Sequence, residues 1–193
     1  MSQVEELIEN ASFKEMKLIL LSVLKWFHKN GLGNPFNYNR GFEFIQALEL
    51  GFRLEPVGGG SDGVKETDED ITAEFKATAD KGLTKKGKEK SHSFSYNGTS
   101  KKQTIEEQEI YCRKKIMRDP YHYWTIVNYE SGKLVKTIKI SCDRVWLVLW
   151  PKWKKSFHNS STNADGRIGG SVSTNELKEY GINDYEIIVH ESN

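Results

Sequence analysis

The chain has 193 residues, 37% of them hydrophobic and 28% charged, which fits one compact, water-soluble domain. Its formal net charge is +1, so nothing at whole-chain level announces a nucleic-acid binder, and any such surface has to come from how the charges are distributed. The two cysteines, Cys112 and Cys142, form no C-x-x-C pair and have no histidine at zinc-finger spacing; they read as free thiols of a reducing compartment or as one disulfide.

The first thirty residues predict helix. Ser12 with Glu15 makes a capping box, and Phe13, Met16, Leu20, Val23, Leu24 and Phe27 form an apolar stripe that ends at Gly31. Within it, "LILLSVL" at 18–24 is the longest apolar run. It is too short to span a bilayer and ends in Lys25, and the acidic N-terminus has no signal-peptide pattern. The expectation is a cytoplasmic protein with no membrane partner, in which the Asn-x-Ser/Thr matches at Asn10, Asn97 and Asn159 carry no meaning.

After the turn-rich "GLGNPFNYN" a second helix is expected from Arg40 to Leu50, closed by Gly51. Strands follow: "FRLEPV", then "DGVKE" and "ITAEFKAT" as the arms of a hairpin. Residues 79–103 read as a polar, Lys-rich loop. A third helix is capped by Thr104 with Glu107 and stops before Pro120. "HYWTIVNY" and "LVKTIKI" flank "ESGK" as a second hairpin, and "RVWLVLW" reads as a buried strand or short helix. "HNSSTNADGRIGG" reads as a loop, Ser173 with Glu176 caps a short helix, and "YEIIVHE" forms a last strand. This order implies an α/β (α+β) domain with a mixed sheet flanked by helices.

The chemistry concentrates in "PVGGGSDGVKETDEDITAEFKAT". In "ITAEFKAT", Ile71, Ala73, Phe75 and Ala77 alternate with Thr72, Glu74, Lys76 and Thr78, as in any half-buried strand, and Glu-x-Lys alone is satisfied by a solvated pair. Asp62, however, opens the preceding strand behind a glycine run. If the strands pair as a hairpin, Asp62 approaches Glu74 and Lys76, and two carboxylates converge as a hard cation such as Mg²⁺ requires. Lys76 beside them suits a hydroxide or a phosphate charge. Glu43, on the stripe of Ala47 and Leu50, is a third acid aimed at the metal or a flank residue reaching water.

These residues resemble the PD-(D/E)XK nuclease superfamily, which includes most type II restriction endonucleases. The resemblance covers roughly residues 40–80: Asp62 matches the first Asp of the motif, Glu74 its second acid, Lys76 its Lys, and Glu43 the helix Glu that some members use. Pro56 departs from the pattern by standing six residues before Asp62 rather than next to it. The resemblance implies a restriction-endonuclease-like core in a single nuclease domain over 1–193, with a helical part at 1–39, a catalytic core at 40–80 and the Lys-rich loop at 81–103. It implies Mg²⁺-dependent hydrolysis of DNA to a 5′-phosphate and a 3′-hydroxyl, catalysed by Asp62, Glu74 and Lys76, with Asp62, Glu74 and Glu43 holding the metal.

Lys81, Lys85, Lys86, Lys88, Lys101 and Lys102 follow the Glu-x-Lys strand and are candidate contacts to double-stranded DNA, or a solubilising tract. Arg113, Lys114, Lys115 and Arg118 close the third helix, where they read equally as cations favoured by the helix dipole or as contacts to DNA. "WPKWKKSFHNS" reads as a second DNA surface or as core aromatics with wet lysines between them, and His122 and His158 as structural. No base-reading motif is visible, and one centre cuts one strand. The expectation is therefore the small catalytic subunit of a heterodimeric type IIS restriction endonuclease beside a larger recognition and nicking subunit. The alternatives are a homodimeric type II enzyme, a structure-specific repair nuclease, or a non-catalytic nucleic-acid-binding accessory protein.

Overall fold

The computed structural model describes residues 2–36, 40–56, 58, 60–128, 133–159 and 167–190. The helical elements are α1 (Gln3–Glu9), α2 (Phe13–Lys29), α3 (Arg40–Glu49), α4 (Ile105–Ile116), α5 (Cys142–Asn159) and α6 (Thr174–Glu179). The strands are β1 (Phe52–Leu54), β2 (Gly63–Lys65), β3 (Asp68–Ala79), β4 (Ser93–Ser100), β5 (Tyr121–Asn128), β6 (Lys133–Ser141), β7 (Arg167–Ser173) and β8 (Glu186–Val189). A six-stranded sheet runs β1-β2-β3-β5-β6-β8, and β4 pairs with β7 in a separate two-stranded ribbon. Among the described strands only β3 and β5 pair in parallel; β1-β2-β3 and β5-β6-β8 are antiparallel meanders joined along that seam. The domain is therefore a mixed sheet flanked by helices.

Two clusters cover the two faces of this sheet. On one, Phe27 and Leu32 with Ala47 of α3 pack over Phe52, Ala73, Phe75 and Tyr123. On the other, a larger core joins Trp124, Ile126, Ile138 and Ile140 to α4, α5 and the ribbon, where Phe94 stacks on Trp124 at 5.0 Å between centroids. Alternation along β5 divides its residues between the clusters: Tyr123 faces the first, while Trp124 and Ile126 face the second.

Capping boxes start α1, α2, α4 and α6 at Ser2, Ser12, Thr104 and Ser173. The single N-terminal helix expected from the sequence is two helices, because Ser2 and Glu5 form a capping box of their own and Ser12 restarts the chain. "RVWLVLW" lies inside the 18-residue α5. Its buried residues Val145, Trp146, Val148, Leu149, Trp153 and Phe157 recur at three- and four-residue steps, a helical stripe that a short apolar window hides. Trp153 is wholly buried, and Lys152 pairs with Glu176 and bonds the Ser171 carbonyl, so the aromatics of this segment are core.

The stretch expected as a loop at 79–103 is largely ordered. β3 runs on to Ala79. Leu83 and Glu89 form a bridge around a turn in which Thr84 N donates to Lys88 O and Lys90 N to Gly82 O. Phe94 and Tyr96 alternate with Ser93 and Ser95 in β4, just after His92, and the three large side chains are buried. The density of lysines hid this period-two pattern. Both cysteines are free thiols, Cys112 buried and Cys142 half-buried. Of "HNSSTNADGRIGG", expected as a loop, His158 and Asn159 end α5 and "RIGG" opens β7, where Gly170 pairs with Tyr96; its middle, like most of "ESGK", lies outside the described residues. No helix among the described residues is long and apolar enough to cross a membrane.

Candidate functional site

The β2–β3 hairpin sets the register of the site. Gly63 pairs with Ala73, and Asp62 N donates to Ala73 O at 3.0 Å, so the Asp62 side chain arrives beside the next residues of β3. Its Oδ2 accepts the Phe75 N–H at 2.8 Å and lies 3.8 Å from Lys76 Nζ. Glu74 and Lys76 project from the same face of β3 and are hydrogen-bonded to each other. Lys76 Nζ also donates to Phe75 O at 2.8 Å. Three oxygens of different origin thus gather around one ammonium group: a carboxylate from the start of β2, a carboxylate from β3 and a main-chain carbonyl.

Two glycines make this approach possible. A Cβ on Gly63 would stand 2.7 Å from the Phe75 ring, so the hairpin closes only over a residue without a side chain. Gly60 holds φ +101°, which L side chains rarely adopt, and its Cα hydrogens face Arg118, whose nearest atoms would be 3.8 Å from an added Cβ.

β3 receives Asp62 from β2 on one side and a cation from β5 on the other. Because Glu74 pairs with His122 in parallel register, the chain entering β5 passes beside Glu74. Arg118 Nη2 therefore stands 3.0 Å from Glu74 Oε2 and 2.9 Å from Asp119 Oδ2. Beneath the site, His122 Nε2 faces Ile116 O at 3.1 Å, so that nitrogen carries the proton, and Nδ1 accepts from the Tyr96 hydroxyl at 2.8 Å. Trp124 Nε1 in turn donates to the Tyr96 oxygen at 2.7 Å. This buried chain fixes the Tyr96 ring, over which Lys76 Nζ lies at 5.5 Å. Burial keeps His122 below its ordinary pKa, consistent with its neutral role in this network. Gln46 of α3 supports β3 from the opposite face, donating to Lys76 O at 3.2 Å and to Thr125 Oγ1 at 2.6 Å.

The two carboxyls respond oppositely. Burial, then repulsion from Glu74, raises Asp62 from 3.8 to about 7; Lys76 pulls against this and Glu43 adds to it. Burial also works against the charge of Glu74, but Lys76, bonded to it, and Arg118 outweigh that and hold it below the usual carboxylate range. Lys76 is pushed down by burial and up by Glu74 and Asp62, and the carboxylates win, so it remains a cation. One acid poised near neutrality beside one held ionised is the pattern that functional sites produce.

A cleft of about 390 Å³ opens over Glu74 and Lys76. Glu43 lines it from α3, Ser93, Ser95 and Tyr96 from β4, and Lys115 from α4. Glu43 pairs with Arg40 at 3.0 Å, and among the described residues no three His, Cys, Asp or Glu side chains are grouped to hold a metal. Even so, Asp62, Glu74 and the Phe75 carbonyl are hard oxygen donors. Magnesium commonly takes one or two carboxylates and fills its remaining positions with water and phosphate oxygens, so the residues present fit such an ion.

Of the residues singled out in the sequence, Asp62, Glu74 and Lys76 meet, and Glu43 faces the same cleft. The lysines placed after the strand do not line it. Lys81 Nζ bonds Ser91 O at 3.2 Å, Lys85, Lys86 and Lys88 are exposed on the 84–88 turn, and Lys101 and Lys102 lie over the rings of Phe157 and Tyr111 at 4.8 and 4.1 Å. The cations at the centre are instead Lys115 and Arg118, for which the helix dipole is a sufficient reason in the sequence. His122 is likewise part of the site's support. Its signal in sequence was the parallel seam itself, which opposes "YHYW" to "AEFK". No protein-family model matches the chain, and no curated protein matches it at significance.

Proposed function

We propose that the protein is a Mg²⁺-dependent DNA endonuclease with a restriction-endonuclease-like core. The observation that carries this reading is the convergence of Asp62, Glu74 and Lys76 on one oxygen-lined point, where Glu74 and Lys76 line a cleft. A solvated strand face leaves its charges in water, whereas here the Glu74 and Lys76 side chains are 14% and 18% exposed. In this reading Asp62 and Glu74 would hold the metal, with Glu43, a third acid, lining the cleft. Mg²⁺, when bound there, would supply an acidified water and polarise the scissile phosphate. Lys76, kept protonated by its neighbours, orients the attacking oxygen and offsets the charge that builds on the phosphate. Tyr96 and His122 hold Lys76 in place. The products are a 5′-phosphate and a 3′-hydroxyl.

One centre serves one strand. We assign the second cut and base recognition to a larger recognition and nicking subunit that binds this chain. The apolar surface of the N-terminal helices supports a protein partner: Leu7 of α1 and Phe13, Leu18, Leu20 and Trp26 of α2 are exposed, Phe13 almost wholly at 99%. The test is plasmid DNA incubated with purified protein and Mg²⁺, alone and with a nicking partner. Weak nicking alone, raised to double-strand cleavage by the partner and abolished by Glu74→Ala or Lys76→Ala in folded protein, supports the reading. Full cleavage by folded Glu74→Ala overturns the site, and efficient double-strand cutting at one sequence by this chain alone overturns the partner in favour of a homodimer.

A further inference from the structure

We propose that the C-terminal end of α4 forms a phosphate-holding wall of the cleft, in which Lys115, together with the Ser93 and Ser95 hydroxyls of β4, binds the phosphodiester backbone of the DNA strand next to the phosphate that reacts. The proposal deepens the endonuclease reading and rests on it.

Topology divides the charges of the site. The acids reach Glu74 from the β2 side, through Asp62, and from α3, through Glu43. The cations reach it from the β5 side, because the parallel pairing of Glu74 with His122 draws the end of α4 alongside. Lys115 stands one helical turn before Arg118 and lines the same cleft as Glu74 and Ser93. A strand lying in this cleft meets an acidic end suited to a metal and a basic end suited to a bare phosphate. Cations are also favoured at the end of a helix, where the backbone dipole is negative.

The opposite wall completes the donor set. In β4 the buried side chains of Phe94 and Tyr96 turn Ser93 and Ser95 outward to the cleft, so this strand offers hydroxyl donors and no competing carboxylate. Arg118 is oriented from below. Its guanidinium bonds buried Asp119 and Glu74, which fixes it beside the cleft. Burial lowers the pKa of Lys115 and Glu74 acts against this, so an anion entering the cleft beside it would favour its charged form.

The experiment measures binding of a fluorescein-labelled DNA duplex by anisotropy in EDTA, where hydrolysis is stopped, over a series of salt concentrations. Mn²⁺ binding to the DNA-free protein is titrated in parallel. Lys115→Ala should weaken DNA binding several-fold and reduce the log–log salt slope by about 0.9. Lys115→Arg, which keeps the charge, should retain the parent slope, and Lys114→Ala, on the exposed side of the same helix, should change nothing. Mn²⁺ binding should persist in every Lys115 variant, since no metal-facing oxygen is removed. If Lys115→Ala does not fold, Lys115→Gln, which keeps most of the stem, takes its place. An unchanged slope in the folded variant, with Mn²⁺ still bound, overturns the wall and leaves the metal site standing. Failure of the parent protein to bind either Mn²⁺ or DNA overturns the endonuclease reading and the wall together.

Discussion

Replacing Asp62 with Asn should stabilise the protein, and more so as the pH rises. Asp62 is raised from 3.8 to about 7, so its folded-state value lies above its unfolded one. The stability linked to its proton is then complete below about pH 4 and is lost as pH rises through about 7. At about 1.4 kcal/mol for each pH unit, the full loss is about 4 kcal/mol, of which about 2–3 kcal/mol falls between about pH 5 and about pH 8. Its side chain is 22% exposed and shares its proton balance with Glu74 and Lys76, which reduces the expected difference to about 1–3 kcal/mol. Asn stays neutral throughout, and its amide oxygen still accepts the Phe75 N–H. For a domain of this length each kcal/mol moves Tm by about 2–4 °C. Thermal unfolding followed by tryptophan fluorescence in metal-free buffer should therefore show the Asn variant gaining about 2–12 °C over the parent between about pH 5 and about pH 8. A divalent cation should recover part of that gap in the parent and none of it in the variant. A Tm difference that stays constant across this pH range would refute the account of Asp62 as an acid strained by burial and by Glu74.

Gly63→Ala should lower stability by about 1–3 kcal/mol, seen as a lower urea midpoint, because its Cβ meets the Phe75 ring beneath the hairpin; an unchanged midpoint would mean the hairpin shifts freely. Trp153→Ala empties a wholly buried site and should cost about 3–5 kcal/mol in the same assay. Replacing Lys85, Lys86 and Lys88 together by Ala should reduce the salt slope of DNA binding by about one for each phosphate that is no longer neutralised, without altering cleavage at saturating DNA; an identical slope would make the 84–88 turn a solvated hairpin only.

The Asp62, Glu74 and Lys76 triplet was legible because it is local. A hairpin is a short-range device, and alternation along "ITAEFKAT" fixes which side chains share a face, so the meeting of these three follows from spacing. The capping boxes at Ser12, Thr104 and Ser173 are equally local and stand where the sequence places them. What was hidden depends on pairings distant in sequence. Arg118 reaches Glu74 across 44 residues, through a parallel pairing that no turn residue announces. Tyr96 and His122 become one buried relay only after β4 folds over β5. The Lys-rich tract shows the limit of composition: charge density gives no direction, and Lys85, Lys86 and Lys88 stand exposed on a turn that does not line the cleft. Glu43 faces the site from the α3 stripe, yet its partner Arg40 lies one turn earlier, outside the alternation that located the other acids.

Helix α2 is buried at Phe27 and nowhere else, and α1 buries no residue at all. Local opening of that arm uncovers little surface that water does not already touch, so its free-energy cost is small. Backbone amides of α1 and the first turns of α2 should then exchange with deuterium within seconds to minutes, while those of β5 and β6, between two core clusters, wait for the whole domain to open. Limited proteolysis should follow the same gradient, nicking around Ala11 long before any bond in β3. The cleft and the arm thus operate at opposite ends of the molecule's range of local stabilities: one is held rigid enough to place oxygens within bonding distance, and the other is loose enough to be reshaped by whatever protein it meets.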